Sequence, residues 1–172
     1  AYLQQMLNKT QWPALDYLII DMPPGTGDIQ LTIAQKVPIT AAILITTPQC
    51  LSLSDLEKGL GLLKKTQIPT LGLIENMGTL TCKHCKKENP LFSSPAVDKF
   101  IEKHRIPLLG SIPLDLEIAQ TCEENTPLHL SNPNHKTNQV FDRIAYQMGF
   151  LLSQIDQHKP NPFPKIVIES KE

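Results

Sequence analysis

The chain reads as an α/β domain built on a mostly parallel sheet flanked by helices. Three observations predict it. Short apolar runs at Tyr17–Ile20, Ala41–Thr46, Thr70–Glu75 and Leu108–Ile112 suit strands buried on both faces. Between them lie segments with apolar residues at helical spacing, and that alternation is the mark of a parallel sheet. Finally, 15 prolines stand against 8 glycines. Pro23, Pro48, Pro69, Pro107 and Pro113 fall beside strand ends, where loops enter or leave a sheet.

Taken in order, residues 1–11 predict the end of a helix, with Tyr2, Leu3, Met6 and Leu7 at helical spacing, broken by Trp12-Pro13. A buried strand over residues 16–21 follows and ends at Asp21. Pro23, Pro24, Gly25 and Gly27 then form a loop that no strand or helix continues through. Asp28 suits the N-cap of a helix carrying Ile29, Leu31, Ile33 and Ala34. The second strand leads through a Thr-Pro turn to a helix that starts at Ser52 or Ser54 and reaches about Thr66, with Leu56, Leu60 and Leu63 inward. The third strand opens into a cysteine-bearing loop, and a helix from Pro95 to His104 follows. After the fourth strand come a helix over Leu116–Glu123, a loop over 124–134 and a closing helix over Lys136–Ile155. The expected domain is 1–156. Residues 157–172, with Pro160, Pro162 and Pro164, form a proline-rich tail ending in Ile166-Val167-Ile168.

Composition narrows the function. A chain of 172 residues with 41% hydrophobic and 19% charged residues suits one folded domain rather than a disordered segment. A formal net charge of -1 gives no electrostatic case for nucleic acid or an anionic membrane. No apolar run approaches a membrane span and no export signal is evident, so the cytosol is the expected location. The 4 cysteines read as thiols or metal ligands rather than a disulfide framework. Cys82 and Cys85, spaced C-x-x-C, offer two thiolates to one metal, which is half of a tetrahedral site. Alone, that spacing is equally compatible with zinc, a redox pair or neither. Cys50 and Cys122 lack a partner at ligand spacing, and the five histidines surround no nucleophile, which argues against a Ser-His-Asp or Cys-His enzyme.

A carboxylate at the carboxyl end of a parallel strand sits where open α/β sheets bind ligands, although Asp21 by itself could be only a solvated strand end. The whole string D-Y-L-I-I-D-M-P-P-G-T-G-D from Asp16 to Asp28 is more specific. It resembles the Walker B and switch II segment of the Mrp/ApbC iron–sulfur cluster carriers, within the MinD/ParA group of P-loop NTPases. The resemblance continues through Thr46–Gln49 (T-T-P-Q), Glu75–Met77 (E-N-M), Cys82–Cys85 (C-K-H-C) and Gly110–Asp115 (G-S-I-P-L-D), covering about residues 1–150. It implies that Asp21 and Asp28 serve Mg²⁺ and catalysis and that Gly25 and Gly27 approach the γ-phosphate. It also implies that Asn76 hydrogen-bonds adenine and that Pro113 and Asp115 line the base pocket. Cys82 and Cys85 would bridge a [4Fe–4S] cluster between two copies, with Lys83, Lys86 and Lys87 offsetting its charge and His84 a bystander. ATP with Mg²⁺ and apo iron–sulfur proteins are the implied ligand and partners.

One part of the family pattern is missing. The sequence contains neither G-x-x-x-x-G-K-[ST] nor the K-G-G-x-G-K-[ST] variant, so no lysine-bearing loop is present to wrap phosphates. The chain therefore reads as the C-terminal part of a longer or split protein, not expected to hydrolyse ATP alone. The strands at Tyr17–Asp21 and Ala41–Thr46 are expected to show unpaired apolar edges, which leaves the chain marginally stable or completed by a partner such as a separate N-terminal half. Two other readings remain open: a MinD/ParA-like regulatory ATPase fragment without a cluster, and a zinc-stabilised interaction module. The first is weakened because the proline-broken tail lacks the basic-apolar face of a membrane helix.

Overall fold

The computed structural model describes residues 2–22, 28–82, 84–85, 87–92 and 95–155. Its elements are α1 (Tyr2–Lys9), α2 (Asp28–Lys36), β1 (Ala42–Thr46), α3 (Cys50–Lys65), β2 (Thr70–Thr81), β3 (Glu88–Pro90), α4 (Ala96–His104), β4 (Leu108–Leu114), α5 (Leu116–Glu123), α6 (Leu128–Ser131) and α7 (Asn138–Ser153). The tail from residue 156 onward lies outside the described residues.

β2 is the centre of the sheet. It pairs parallel with β1 on one side and with β4 on the other, while its carboxyl end pairs antiparallel with β3. Successive side chains of a strand point to opposite faces, so apolar β2 residues must be covered twice. Leu73 meets Leu44, Leu53, Leu60, Val97, Phe100 and Ile106 under α3 and α4. Its neighbour Ile74 meets Leu109 and Ile144, with Val140, Met148 and Leu151 of α7 packed around them. The leucines of α3 recur every three or four residues, which gives that helix its inner face.

Three helices stop by the same device. After α3, the Ile68 N–H reaches the Leu63 carbonyl and the Gln67 N–H that of Lys64. The same pair of hydrogen bonds closes α4 (Ile106 N–H to Ile101, Arg105 N–H to Glu102) and α5 (Thr126 N–H to Thr121, Asn125 N–H to Cys122). Gln67, Arg105 and Asn125 adopt the left-handed conformation this motif requires, at φ of 57°, 56° and 51°. Buried Ile68 and Ile106 then drop each chain back into the core ahead of the next strand.

The expectation of a buried strand at residues 16–21 is corrected. These residues form no strand, and Tyr17, Leu18 and Ile19 are 62%, 48% and 81% exposed. A strand needs a neighbour to satisfy its amides and carbonyls. Among the described residues β1 pairs only with β2, and no strand lies beside 16–21. The outer edge of β1 is accordingly open, and Ile45 is 62% exposed. Two further corrections are local. β2 continues well beyond Glu75 and forms a hairpin with β3, and the expected loop over 124–134 contains the short helix α6.

Candidate functional site

Cys82 follows β2 directly and Cys85 lies in the turn that leads to β3, so the pair occupies the tip of a β-hairpin. Thr79, Leu80 and Thr81 pair with Pro90, Asn89 and Glu88. The Cys82 N–H donates to the Lys87 carbonyl at 2.9 Å and closes the turn, while the Leu91 N–H donates to Gly78 at 3.0 Å and closes the root. Cys82 is half-buried, Cys85 and His84 are exposed, and neither cysteine is in a disulfide. Lys87 is exposed, whereas Lys83 and Lys86 lie outside the described residues. A tip bearing two thiols fits a soft metal or an iron–sulfur cluster, for which thiolate is the favoured donor. Two sulfurs leave half the coordination to be supplied from elsewhere.

The residues expected to serve a nucleotide are only partly brought together. Asn76 on β2 stands in register with Ile112 on β4, Pro113 follows it, and Asp115 closes the strand. All three are half-buried and lie towards the carboxyl ends of adjacent parallel strands, the ligand-binding side of an open α/β sheet. Asp21 is exposed in irregular backbone, and no hydrogen bond among the described residues joins it to the other three. Asp28 is the first residue of α2, rather than the cap before it. Gly25 and Gly27 lie outside the described residues.

Asp115 also does structural work. One carboxylate oxygen accepts the Glu117 N–H at 3.0 Å, capping α5, and the other accepts the Thr137 hydroxyl at 3.2 Å. His135 Nε2 lies 3.5 Å from Asp115 and 3.0 Å from Glu117, whose other oxygen accepts from Asn132 at 2.7 Å. Asp115, Glu117 and His135 thus have the donor types of a metal site. The Thr137 N–H, however, donates to His135 Nδ1 at 3.3 Å, which places the ring proton on Nε2, facing the carboxylates. A histidine ligand normally gives its bare nitrogen to the metal and donates from the other. The cluster is therefore a hydrogen-bonded tie between α5 and the start of α7. Sequence reasoning missed it because His135 is far from Asp115 along the chain. Ser111, by contrast, stands within the motif Gly110–Asp115, and its hydroxyl donates to Glu75.

A mostly parallel sheet flanked by helices, with ligand-side residues at its carboxyl edge and a thiol hairpin beyond, has the form of a MinD-like P-loop NTPase fold bearing a thiol pair. A nucleotide-binding protein from Archaeoglobus fulgidus, in complex with ADP, superposes with a TM-score of 0.68 at 28% identity, over 81% of this chain and 56% of its own. The cell division ATPase MinD from Pyrococcus furiosus superposes with a TM-score of 0.51 at 26% identity, over 65% of this chain and 43% of its own. The profile described as ParA, "NUBPL iron-transfer P-loop NTPase", matches residues 1–149, and the chain belongs to that family. The iron-sulfur cluster carrier protein of Escherichia coli (strain K12) is 42% identical over 150 residues, which is 85% of this chain and 41% of that protein. The chain thus spans about two fifths of the length of such curated relatives.

Proposed function

We propose that this chain is an iron–sulfur cluster carrier that holds a [4Fe–4S] cluster between the hairpins of two copies and delivers it to apoproteins. The observation that carries the proposal is the placement of Cys82 and Cys85 together at a hairpin tip, with Cys85 exposed. Two copies meeting tip to tip supply four thiolates, the usual complement for such a cluster. An exposed tip also leaves the cargo accessible to incoming thiolates of an acceptor. The name of the Escherichia coli relative supports the same reading.

In the complete family architecture, Asp21 and Asp28 would serve Mg²⁺ and the attacking water, and Gly25 and Gly27 would lie near the γ-phosphate. Asn76, Pro113 and Asp115 would hold the base. Phosphoryl transfer depends on a loop of amides and a lysine that neutralise charge. This sequence has no such lysine-bearing loop. The purified chain is therefore expected to release phosphate from ATP at the buffer rate. Cysteine-independent turnover above that rate would contradict the assignment of the missing function to another segment. Among the described residues the outer edge of β1 is unpaired and Tyr17, Ile19 and Ile45 are exposed, which supports a strand supplied by such a segment.

Anaerobic incubation with iron and sulfide, beside a parallel incubation with zinc, tests the carrier reading. The expected product is brown, with about two iron and two sulfide per chain, as a shared four-iron cluster requires. Stoichiometric zinc uptake with no iron–sulfide uptake would overturn it.

A further inference from the structure

The thiol hairpin meets the body of the sheet at its root and again where Leu80 pairs with Leu114. At the tip end, Lys136 Nζ stands 3.5 Å from the Thr81 hydroxyl and 3.4 Å from Glu88, and the lysine and glutamate are both more than half exposed. Long, solvated contacts of this kind hold geometry weakly. The root differs. Glu75 and Ser111 are direct partners across β2 and β4, and the Ser111 hydroxyl donates to Glu75 Oε2 at 2.6 Å in a half-buried position. Directly after Asn76, the pairing with β4 slips and resumes only at Leu80 opposite Leu114. Met77, in the slip, has φ of 59°, and Gly78 folds back over the Glu75–Ser111 pair. A Cβ at Gly78 would collide with the Ser111 hydroxyl and the Glu75 carboxyl group. The irregularity therefore re-aims the strand as it leaves the sheet.

We propose that Glu75, Ser111 and Gly78 are positioning residues that set the direction in which the Cys82–Cys85 hairpin leaves the sheet. The inference rests on the carrier reading for its purpose, because thiols from two copies must converge on one cluster. Three strand residues, Thr79, Leu80 and Thr81, stand between Gly78 and Cys82, a lever of roughly 13 Å over the four residue steps, so a tilt of about 10° at the root moves the tip by about 2 Å. That exceeds the tolerance of a built site by severalfold. Glu75 touches no cargo and acts only through the hairpin. The same latch lies next to Asn76, so the ligand side of the sheet and the thiol tip share one strand and one joint.

The test compares the full chain with Ser111→Ala, Glu75→Ala and Glu75→Gln, each checked for a retained fold by far-ultraviolet circular dichroism. Amide hydrogen exchange at Cys82 and Leu91 is measured without iron. Iron content and visible circular dichroism are measured after anaerobic loading. Losing a hydrogen bond to a carboxylate is expected to speed exchange at both amides by about tenfold in Ser111→Ala and Glu75→Ala, without change at Leu73. Iron content is expected to fall by more than half, with an altered visible dichroism. Glu75→Gln keeps an acceptor oxygen and is expected to restore both readouts. Hairpin exchange unchanged in Ser111→Ala, or raised equally in Glu75→Gln, overturns the positioning role. Should Glu75→Ala not fold, Ser111→Ala carries the same prediction, since it removes one oxygen alone. If the unaltered chain takes up no iron while the exchange pattern holds, the carrier reading fails and the positioning role stands.

Discussion

Replacing Cys82 and Cys85 together by serine is expected to abolish cluster uptake, from about four iron per pair of chains to none, without unfolding the protein. The large effect follows from ligand chemistry. A serine hydroxyl is hard and stays protonated near neutral pH, so it cannot stand in for a thiolate on iron. Each copy contributes only two sulfurs, so the double substitution removes all four ligands from the pair. The retained fold follows from location. Cys85 is exposed and Cys82 half-buried at a hairpin tip outside both apolar clusters. Cys50 and Cys122 are also exposed, on α3 and α5, and serve as internal controls. Replacing either by serine is expected to leave iron content unchanged. Iron and acid-labile sulfide analysis after anaerobic loading reads the result, and equal loading of the double variant would remove the hairpin from the account.

The largest stability effect is expected at Leu73. It is 0% exposed at the centre of β2 and packs against residues of β1, α3 and α4. Truncation to alanine loses the transfer free energy of the side chain and leaves a cavity between layers, at a cost of about 2–5 kcal/mol. Domains hold only about 5–15 kcal/mol in total. Among the described residues the outer edge of β1 is unpaired and Tyr17, Ile19 and Ile45 are exposed, so a loss of this size is expected to be a large share of that total. Leu73→Ala is therefore expected to lower the midpoint of thermal unfolding by roughly 10 °C or to yield an unfolded chain. Leu130→Ala, at a position 74% exposed, is expected to change stability by less than about 0.5 kcal/mol. Similar losses at the two positions would contradict the assignment of the core.

Much of this architecture was legible from local pattern. The runs at Ala41–Thr46, Thr70–Glu75 and Leu108–Ile112 announce parallel strands because both faces of each are apolar. The helices announce themselves through apolar residues at helical spacing. The run at Tyr17–Ile20 carries the same pattern and forms no strand. Local pattern records what a segment is suited to, while pairing depends on a neighbour at the right place. The β2–β3 hairpin was hidden for the opposite reason. Glu88, Asn89 and Pro90 are poor strand formers, exposed, and paired to β2. Helix α6 is four residues long between Pro127 and Pro133, too short to show a period.

The site divides in the same way. C-x-x-C is visible in any reading of the chain, and Asn76, Pro113 and Asp115 stand in motifs at strand ends. What sequence could not convey is that Asp115 is engaged on both oxygens, or that Glu75 and Ser111 are bonded partners across two strands. One signal was available: Gly78, a glycine inside a strand, marks a close approach of backbone to side chain.

Native mass spectrometry of the anaerobically loaded chain tests the central claim most directly. The carrier account predicts a species of two chains plus about four iron and four sulfide, which reverts to single chains when the cluster is removed by a chelator. A single chain carrying metal without sulfide, or a two-chain species that still carries iron and sulfide after Cys82→Ser/Cys85→Ser, would contradict it.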